Sequence, residues 1–135
     1  MHTTNYKDTF IEVADDCPVS AGEIPPLKKK EKTIARLQYE MLKWNPYHYT
    51  SDDVIFIIYA KKNKIPEKNY PKKRNEFFLK GQACMRSSPL TKRYGWGVHF
   101  DSRGKMALYG CDSEEYRRFC KDKLLAHKKA MKSKK

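Results

Sequence analysis

The sequence of 135 residues predicts a single α+β domain in which a small antiparallel sheet is covered by about four helices. Three observations predict this class. The C-terminal half carries a hairpin signal, apolar residues recur at helical spacing in other segments, and the length is sufficient for one modest core. The expected elements are a hairpin of 95–100 and 105–109 and helices near 33–44, 51–62, 71–80 and 113–126.

The hairpin is predicted by its turn. Asp101-Ser102-Arg103-Gly104 is typical of a type I turn with Gly104 in a left-handed bulge position. The resulting register places the apolar residues, including Trp96, on one face and His99 and Tyr109 on the other. This separation of apolar from polar residues supports the register. The predicted pairs are Asp101 with Lys105, Phe100 with Met106, His99 with Ala107 and Val98 with Leu108.

Two further strands are expected. Thr9–Val13 contains the apolar pair Phe10-Ile11 and is the firmer of the two, whereas Gln82–Arg86 is only compatible with a short strand. Between the first strand and the first helix, residues 15–26 contain glycine and two adjacent prolines with no periodicity, which predicts a loop.

The first two helices follow from caps and spacing. Residues 33–44 have apolar side chains at helical spacing, Thr33 can cap them, and Asn45-Pro46 ends the helix. The next segment is ambiguous, because Val54–Tyr59 is β-branched and aromatic, which favours a strand. Thr50-Ser51-Asp52-Asp53 is, however, a capping signature, and we favour a buried helix.

The remaining helices are shorter. Pro71 fits the first turn of the third helix, and Gly81 is expected to be its left-handed C-cap. Ser88-Pro89 predicts a short helix that reaches Arg93. A capping signature at Asp112–Glu115 begins the last helix, and the basic tail 127–135 is expected to be flexible.

The net charge of +13 is unevenly distributed. Residues 1–26 carry a net charge of −4, and this acidic leading segment could fold onto the basic remainder. Lysine outnumbers arginine by 22 to 7. Because lysine is a hydrated point charge, this excess favours solubility or loose phosphate contact over sequence-specific recognition.

We expect a cytoplasmic protein without a membrane role. No apolar run approaches the length of about 18 residues that a membrane-spanning helix needs, and the N-terminus lacks a signal-peptide segment. Cys17, Cys84, Cys111 and Cys120 show no C-x-x-C spacing, so we expect reduced thiols that act mostly as small core residues.

Four blocks resemble one known family: MHTTNYKDTFIEVADDCPVSAGEIPP, NPYHYTSDD, KGQACMRSSPLTKRYGWGVH and ALYG. They are similar to the bacterial family of unknown function DUF6157, and the resemblance extends along almost the whole chain. It implies a small, stand-alone bacterial protein. It implies no activity and no functional residue, so the candidate sites rest on the chemistry of the residues.

The leading hypothesis is a non-enzymatic module that binds an anionic or phosphate-bearing ligand. Ser88 and the amides after Pro89 would form a helix N-terminus that attracts anions, with cations and an aromatic or imidazole ring nearby. The candidate residues are Arg86, Ser88, Lys92, Arg93, Tyr94 and His99. In the simpler alternative, Ser88 only caps a short helix and the cations are solvated. We expect neither a cofactor nor a metal, because the histidines and cysteines lack paired spacing.

Two other functions stay open. A small enzyme would use Cys84, activated by Arg86 or a helix N-terminus, or His99 in a pocket beside the hairpin. Alternatively, the basic face would bind nucleic acid non-specifically or an acidic protein, since residues 61–74 contain seven basic residues and one acid. The sequence contains no recognisable nucleic-acid-binding motif, and it makes no prediction of the oligomeric state.

Overall fold

Four strands form one mixed sheet in the computed structural model, which describes residues 1–134. They are β1 (Thr9–Glu12), β2 (Trp96–Phe100), β3 (Met106–Gly110) and β4 (Ala126–Lys129), in the order β3-β2-β1-β4. The helices are α1 (Ile34–Trp44), α2 (Ser51–Lys62), α3 (Tyr70–Phe77), α4 (Pro89–Lys92) and α5 (Glu114–Lys121). Short 3-10 turns lie at Glu67–Asn69 and Met85–Ser87. The predicted α+β class is confirmed.

The hairpin of β2 and β3 has the predicted register. Val98 lies opposite Leu108 and Phe100 opposite Met106. Gly104 has a φ of +78°, and the Asp101 carboxylate accepts hydrogen bonds from the backbone amides of Arg103 and Lys105. The turn chemistry therefore fixes which residues of the hairpin face the core.

The main core lies on one face of the sheet. Ile11 of β1 and the apolar residues of the hairpin pack there against α1, α2 and α4. The largest fully buried side chains of this core are Phe100, Ile11, Leu42, Met85, Leu90, Met106, Val54 and Val98. Alternation along the strands sends His99, Phe10 and Tyr109 to the opposite face.

That opposite face carries α5. Phe10 packs against Tyr116 and Phe119 of this helix, at ring-centroid distances of 5.1 and 5.2 Å. Gly97 leaves room for these rings, because a Cβ there would lie 2.6 Å from the Tyr116 ring and 2.7 Å from the Phe10 ring. The Tyr116 hydroxyl accepts a hydrogen bond from the Val13 amide at 2.9 Å, which fixes the helix on the sheet.

The ambiguous segment 51–62 is a helix. Thr50 and Asp53 form a complete capping box, and Thr33 caps α1 by accepting from the Arg36 amide. Val54 and Ile58 of α2 face the main core, whereas Phe56 faces a second cluster with Ala60 and Phe78. The apolar run is continuous because this helix is buried on two sides.

Three element predictions are wrong. Gly81 is not a left-handed cap: α3 ends at Phe77, where the amide of Phe78 already satisfies the carbonyls of Arg74 and Glu76. Residues 82–86 form no strand, because the backbone from Met85 onward adopts the 3-10 turn of Met85–Ser87. The last helix ends at Lys121 and not near 126, because Asp122 leaves the helical conformation.

The tail predicted to be flexible contains β4, so the sheet is not purely antiparallel. This strand runs parallel to β1, with His127 opposite Phe10. Lys129 pairs with Asp15 at 2.9 Å, and the amides of Ser133 and Lys134 donate to the Asp16 carboxylate. The acidic leading segment thus contacts the basic C-terminal end.

Candidate functional site

Ser88 is occupied by structural contacts. Its hydroxyl caps α4 by accepting from the Leu90 amide at 3.1 Å and donates to the Gln38 side chain at 2.5 Å. The residue is 5 % exposed. Its hydroxyl therefore has little capacity left for a ligand, and α4 is only four residues long.

The predicted cations surround α4 without converging on its N-terminus. Arg86 donates from Nε to the carbonyl of Lys129 at 2.7 Å, while Lys92 and Arg93 lie at the C-terminal end of the helix. Tyr94 packs against the main core. These residues form a basic surface strip and are not arranged around the free amides.

His99 lies on the other face of the sheet. Its ring stacks on Phe119 at 4.3 Å, and its Nδ1 is 2.8 Å from the Tyr47 hydroxyl. Cys84 is on the core side, where its sulfur contacts the Tyr6 hydroxyl at 3.4 Å and Tyr6 packs on Phe100. The structure therefore separates His99 from both Ser88 and Cys84.

Sequence reasoning missed Tyr47, which completes a polar chain with His99. Its hydroxyl is 2.8 Å from the Tyr109 hydroxyl as well as from the His99 ring. Its backbone is left-handed, with φ of 57°, and its amide donates to Met106 at 2.8 Å. The only local signal is its place between a helix-ending proline and the next cap, which does not predict an αL tyrosine.

Burial sets the protonation of this chain. It raises the pKa of Tyr47, with Tyr109 adding to the effect, and it lowers the pKa of His99. The carboxylates of Asp101, Asp122 and Asp8 partly oppose the second shift. In the neutral ring, the tautomer of His99 sets whether its Nδ1 accepts from or donates to the Tyr47 hydroxyl, and that in turn sets the direction of the Tyr47–Tyr109 hydrogen bond.

The most apolar groove lies elsewhere, between α1, α2 and residues 77–83. This central groove has a volume of about 400 Å³. Its walls consist of aliphatic, aromatic, amide and lysine side chains: Ile34, Gln38, Ile55, Ile58, Tyr59, Lys62, Asn63, Phe77, Gln82 and Ala83. None of the six residues predicted as a site lines it.

Three further grooves share lining residues with the central groove, and one of them, which contains the buried Glu40, shares only Ile58 with it. The basic groove, of about 350 Å³, shares Lys62 with it and is otherwise lined by Lys28, Lys29, Glu31, Lys32 and Thr33. The α3 groove, of about 450 Å³, shares Tyr59, Phe77 and Gln82 and adds Ile65, Lys73, Glu76 and Lys80. The basic and α3 grooves share no residue with each other, so each borders the central groove on its own side, and the three are together called the combined groove.

One face of α2 forms the wall of the central groove. Ile55, Ile58, Tyr59 and Lys62 occupy positions i, i+3, i+4 and i+7 and therefore share a stripe. Tyr59 is 41 % exposed, and Ile34 of α1, on the same groove, is 51 % exposed. This stripe was visible in the sequence, but the run 54–59 is apolar on every side and conceals which face stays uncovered.

Lysines are in excess at both ends of the combined groove. Lys32 pairs with Glu40 at 2.6 Å, and Lys73 lies 3.5 Å from Glu76. Lys32, followed by Arg36, holds the pKa of Glu40 below its usual range, so this buried carboxylate is charged. Within residues 1–134, no carboxylate pairs with Lys28, Lys29 or Lys80.

The chemistry of these walls suits binding more than catalysis. The central groove combines apolar surface with amides and one cation, the usual make-up of a ligand site. Residues 1–134 contain no group of three or more histidine, cysteine or acidic side chains that could hold a metal. Over the same residues, no helix has the length and apolarity needed to cross a membrane.

Fold and surface together define a small α+β domain with an apolar, lysine-flanked groove. The chain belongs to a family of unknown function, DUF6157, which matches residues 1–135. The family resemblance of the four sequence blocks is thereby confirmed. No curated protein and no solved structure matches the chain.

Proposed function

We propose that this protein is a non-enzymatic binding module for an anionic ligand that also has an apolar part. The observation that supports the proposal is the combined groove, whose apolar centre has a lysine-containing groove on each side. The general function is the one expected from the sequence, but its site moves from residues 86–99 to the face of α1, α2 and α3.

The apolar part of the ligand would bind in the central groove. Ile34 and Tyr59 leave substantial apolar surface in water although they lie beside a well-packed core. Removing such surface from water gains about 25 cal/mol per Å². The gain favours a ligand with a hydrocarbon or aromatic portion over a bare phosphate ion.

The anionic part would be attracted by lysines of the basic groove. Lys28, Lys29 and Lys62 line it together with a single acid, Glu31, and the ion-paired Lys32. Lysine ammonium groups act as point charges and do not impose the bidentate geometry of arginine. The site would therefore select charge and apolarity more than one headgroup, so a carboxylate and a phosphate both fit.

The surface strip of Arg86, Lys92 and Arg93 is a second candidate for anion binding. Its support is the proximity of three cations around α4. None of the three lines the central groove, Ser88 is already bonded to Gln38, and His99 is on the other face. It therefore fits a bare phosphate better than an amphipathic anion.

An enzymatic alternative rests on His99 without Cys84, because these residues face opposite sides of the sheet. The chain Tyr109–Tyr47–His99 supports it, since a tyrosine bonded to Nδ1 orients the imidazole.

We also place the protein in the cytoplasm, where a reducing environment suits its four free, half-buried thiols. Their exposure also corrects the expectation that most cysteines lie in the core.

Calorimetric titration with dodecyl phosphate, below its micelle concentration, tests the proposal. We expect it to bind at least about tenfold more tightly than inorganic phosphate or dodecyltrimethylammonium, a difference of about 1.4 kcal/mol. Lys62→Glu should weaken binding about tenfold, whereas the matched change Lys123→Glu, at an exposed site remote in sequence from the groove, should not.

The double variant Arg86→Ala/Arg93→Ala distinguishes the two anion sites. We expect it to bind dodecyl phosphate like the unmodified protein. Loss of binding in this variant, with Lys62→Glu unaffected, would assign the function to the strip around α4 and refute the groove.

A further inference from the structure

We propose that the groove holds an acidic amphipathic helix of another protein, with acidic residues on both sides of a short apolar stretch. The proposal rests on the function proposed above and names the class of its ligand. Three features of the described surface support it: the order of its three grooves, the position of its charges and the helical stripe on its wall.

The order of the three grooves, with the central groove between the other two, favours a linear occupant. Lys62 joins the basic groove to the central groove, and Tyr59 and Phe77 join the central groove to the α3 groove. Each of the three has a volume of 350–450 Å³. A compact ligand would fill one of them, whereas a peptide segment can contact all three.

The charges favour an occupant that is acidic at both ends. Lys28, Lys29 and Lys62 lie in the basic groove beside one acid, Glu31, and Lys73 and Lys80 lie in the α3 groove, where Glu76 pairs with Lys73 and leaves Lys80 in excess. An acyl phosphate or a fatty acid carries its charge at one end only and leaves the second lysine cluster unmatched. A segment of the order acid–apolar–acid matches the whole surface.

The wall of α2 favours a helix. Its side chains Ile55, Tyr59 and Lys62 form an i, i+4, i+7 stripe, and Ile34 of α1 lies across from it. An amphipathic helix binds such a surface with its own anchors at i, i+3 or i+4 and i+7. The partially exposed apolar stripe and the flanking cations are the complement of an acidic amphipathic helix.

Other occupants fit less well. A second copy of the chain carries a net charge of +13 and would repel the lysines of the groove. The acidic segment of this chain is already engaged, since Asp15 and Asp16 contact the C-terminal end. Single-stranded nucleic acid needs open aromatic faces, but Tyr59 and Phe77 pack on each other at 4.5 Å.

The test measures fluorescence anisotropy of labelled synthetic peptides with the full chain. The acidic peptide is EELLQALLQALLEE, the basic control is KKLLQALLQALLKK, and the polar control is EEQQQAQQQAQQEE. We expect the acidic peptide to bind at least about tenfold more tightly than either control. The polar control isolates the apolar contribution, and the basic control isolates the charge.

Two variant pairs locate the binding site. Ile34→Gln and Lys62→Glu should each weaken the acidic peptide about tenfold, because they alter the groove. Leu124→Gln and Lys123→Glu make the same kinds of change, at an exposed aliphatic residue and an exposed lysine just after α5, and should leave binding within about twofold. Circular dichroism of all four variants checks that the fold is retained.

The outcomes separate this inference from the proposed function. If dodecyl phosphate binds in the groove but the acidic peptide binds no more tightly than the basic one, the helix partner is refuted and the anion-binding function stands. If neither ligand binds, both are refuted. Tighter binding of a twelve-residue oligothymidine than of the acidic peptide would also overturn the inference, in favour of a nucleic acid.

Discussion

His99 is a polar residue that lies among aromatic rings on the face of the sheet that carries α5. Phe119 stacks on it at 4.3 Å, and Tyr47 and Tyr109 bond it into a chain. The hairpin register predicted the face correctly from the turn at Gly104. It could not predict Tyr47, because a left-handed tyrosine is imposed by contacts with β3 and not by neighbours in the sequence.

The depressed pKa of His99 predicts a pH dependence of stability. Folding favours the neutral ring, so this contribution is complete above the ordinary histidine pKa of about 6.5 and is lost as the pH falls from there towards the folded-state value. The groups that face the ring are Tyr47, Tyr109, Phe119 and the carboxylates of Asp101, Asp122 and Asp8.

Proton NMR of the His99 ring measures this effect directly. We expect a titration midpoint below that of free histidine in the same buffer. We also expect the stability difference between the unmodified protein and His99→Gln, from urea unfolding, to shrink between about pH 7.5 and pH 5.5. A midpoint at or above the free value would contradict the argument from burial.

Gly97 is a second residue whose identity follows from packing. Alanine there would place its Cβ 2.6 Å from the Tyr116 ring and 2.7 Å from the Phe10 ring. We expect Gly97→Ala to lower the free energy of unfolding by about 1–3 kcal/mol, because α5 must shift. Gly81→Ala is the control, since its Cβ would meet nothing closer than His2 at 3.7 Å. Equal effects of the two changes in urea unfolding would refute the steric account.

At the scale of elements, the sequence predicted most helices and the hairpin because local chemistry specifies them. Thr33 and Thr50 cap α1 and α2, and the complete capping box of Thr50 and Asp53 correctly outweighed a β-branched run. Gly81 shows the limit of such signals. A glycine near a helix end is no cap when the preceding residues already satisfy the last carbonyls.

The strand β4 could not be predicted from its own residues. All four are exposed, so the segment shows none of the alternation that marks a half-buried strand. It is held by distant contacts: the amide of Ala126 donates to Asp8, that of Ala130 donates to Glu12, and Lys129 pairs with Asp15. Only pairing with β1, about a hundred residues earlier in the chain, defines it.

Hydrogen exchange tests whether this strand is formed in solution. We expect the amides of Ala126 and Ala130 to exchange at least about tenfold more slowly than in an unstructured peptide, because they donate to the carbonyls of Asp8, just before β1, and Glu12, the last residue of β1. The exposed turn residue Ser102 serves as the internal reference. Exchange of Ala126 and Ala130 at the unstructured rate would contradict the fourth strand and support a flexible tail.

At the scale of the whole molecule, the candidate site was only partly predictable. The lysines were evident in the composition, and the proposal of an anionic ligand rests on them. The groove could not be predicted from the sequence, because it arises where α1, α2 and α3 meet and leave one stripe of α2 uncovered. The residues first favoured, Ser88 and His99, lie on opposite sides of the sheet, and the fold uses both in structural contacts.

The central claim is that the groove on α1, α2 and α3 binds amphipathic anions. Chemical-shift mapping with dodecyl phosphate tests it most directly, because the shifts report the site residue by residue. The account predicts the largest shifts at Ile34, Ile55, Tyr59 and Lys62, with Arg86 and Arg93 unchanged. Shifts centred on Arg86–Tyr94, or none at saturating ligand, would contradict it.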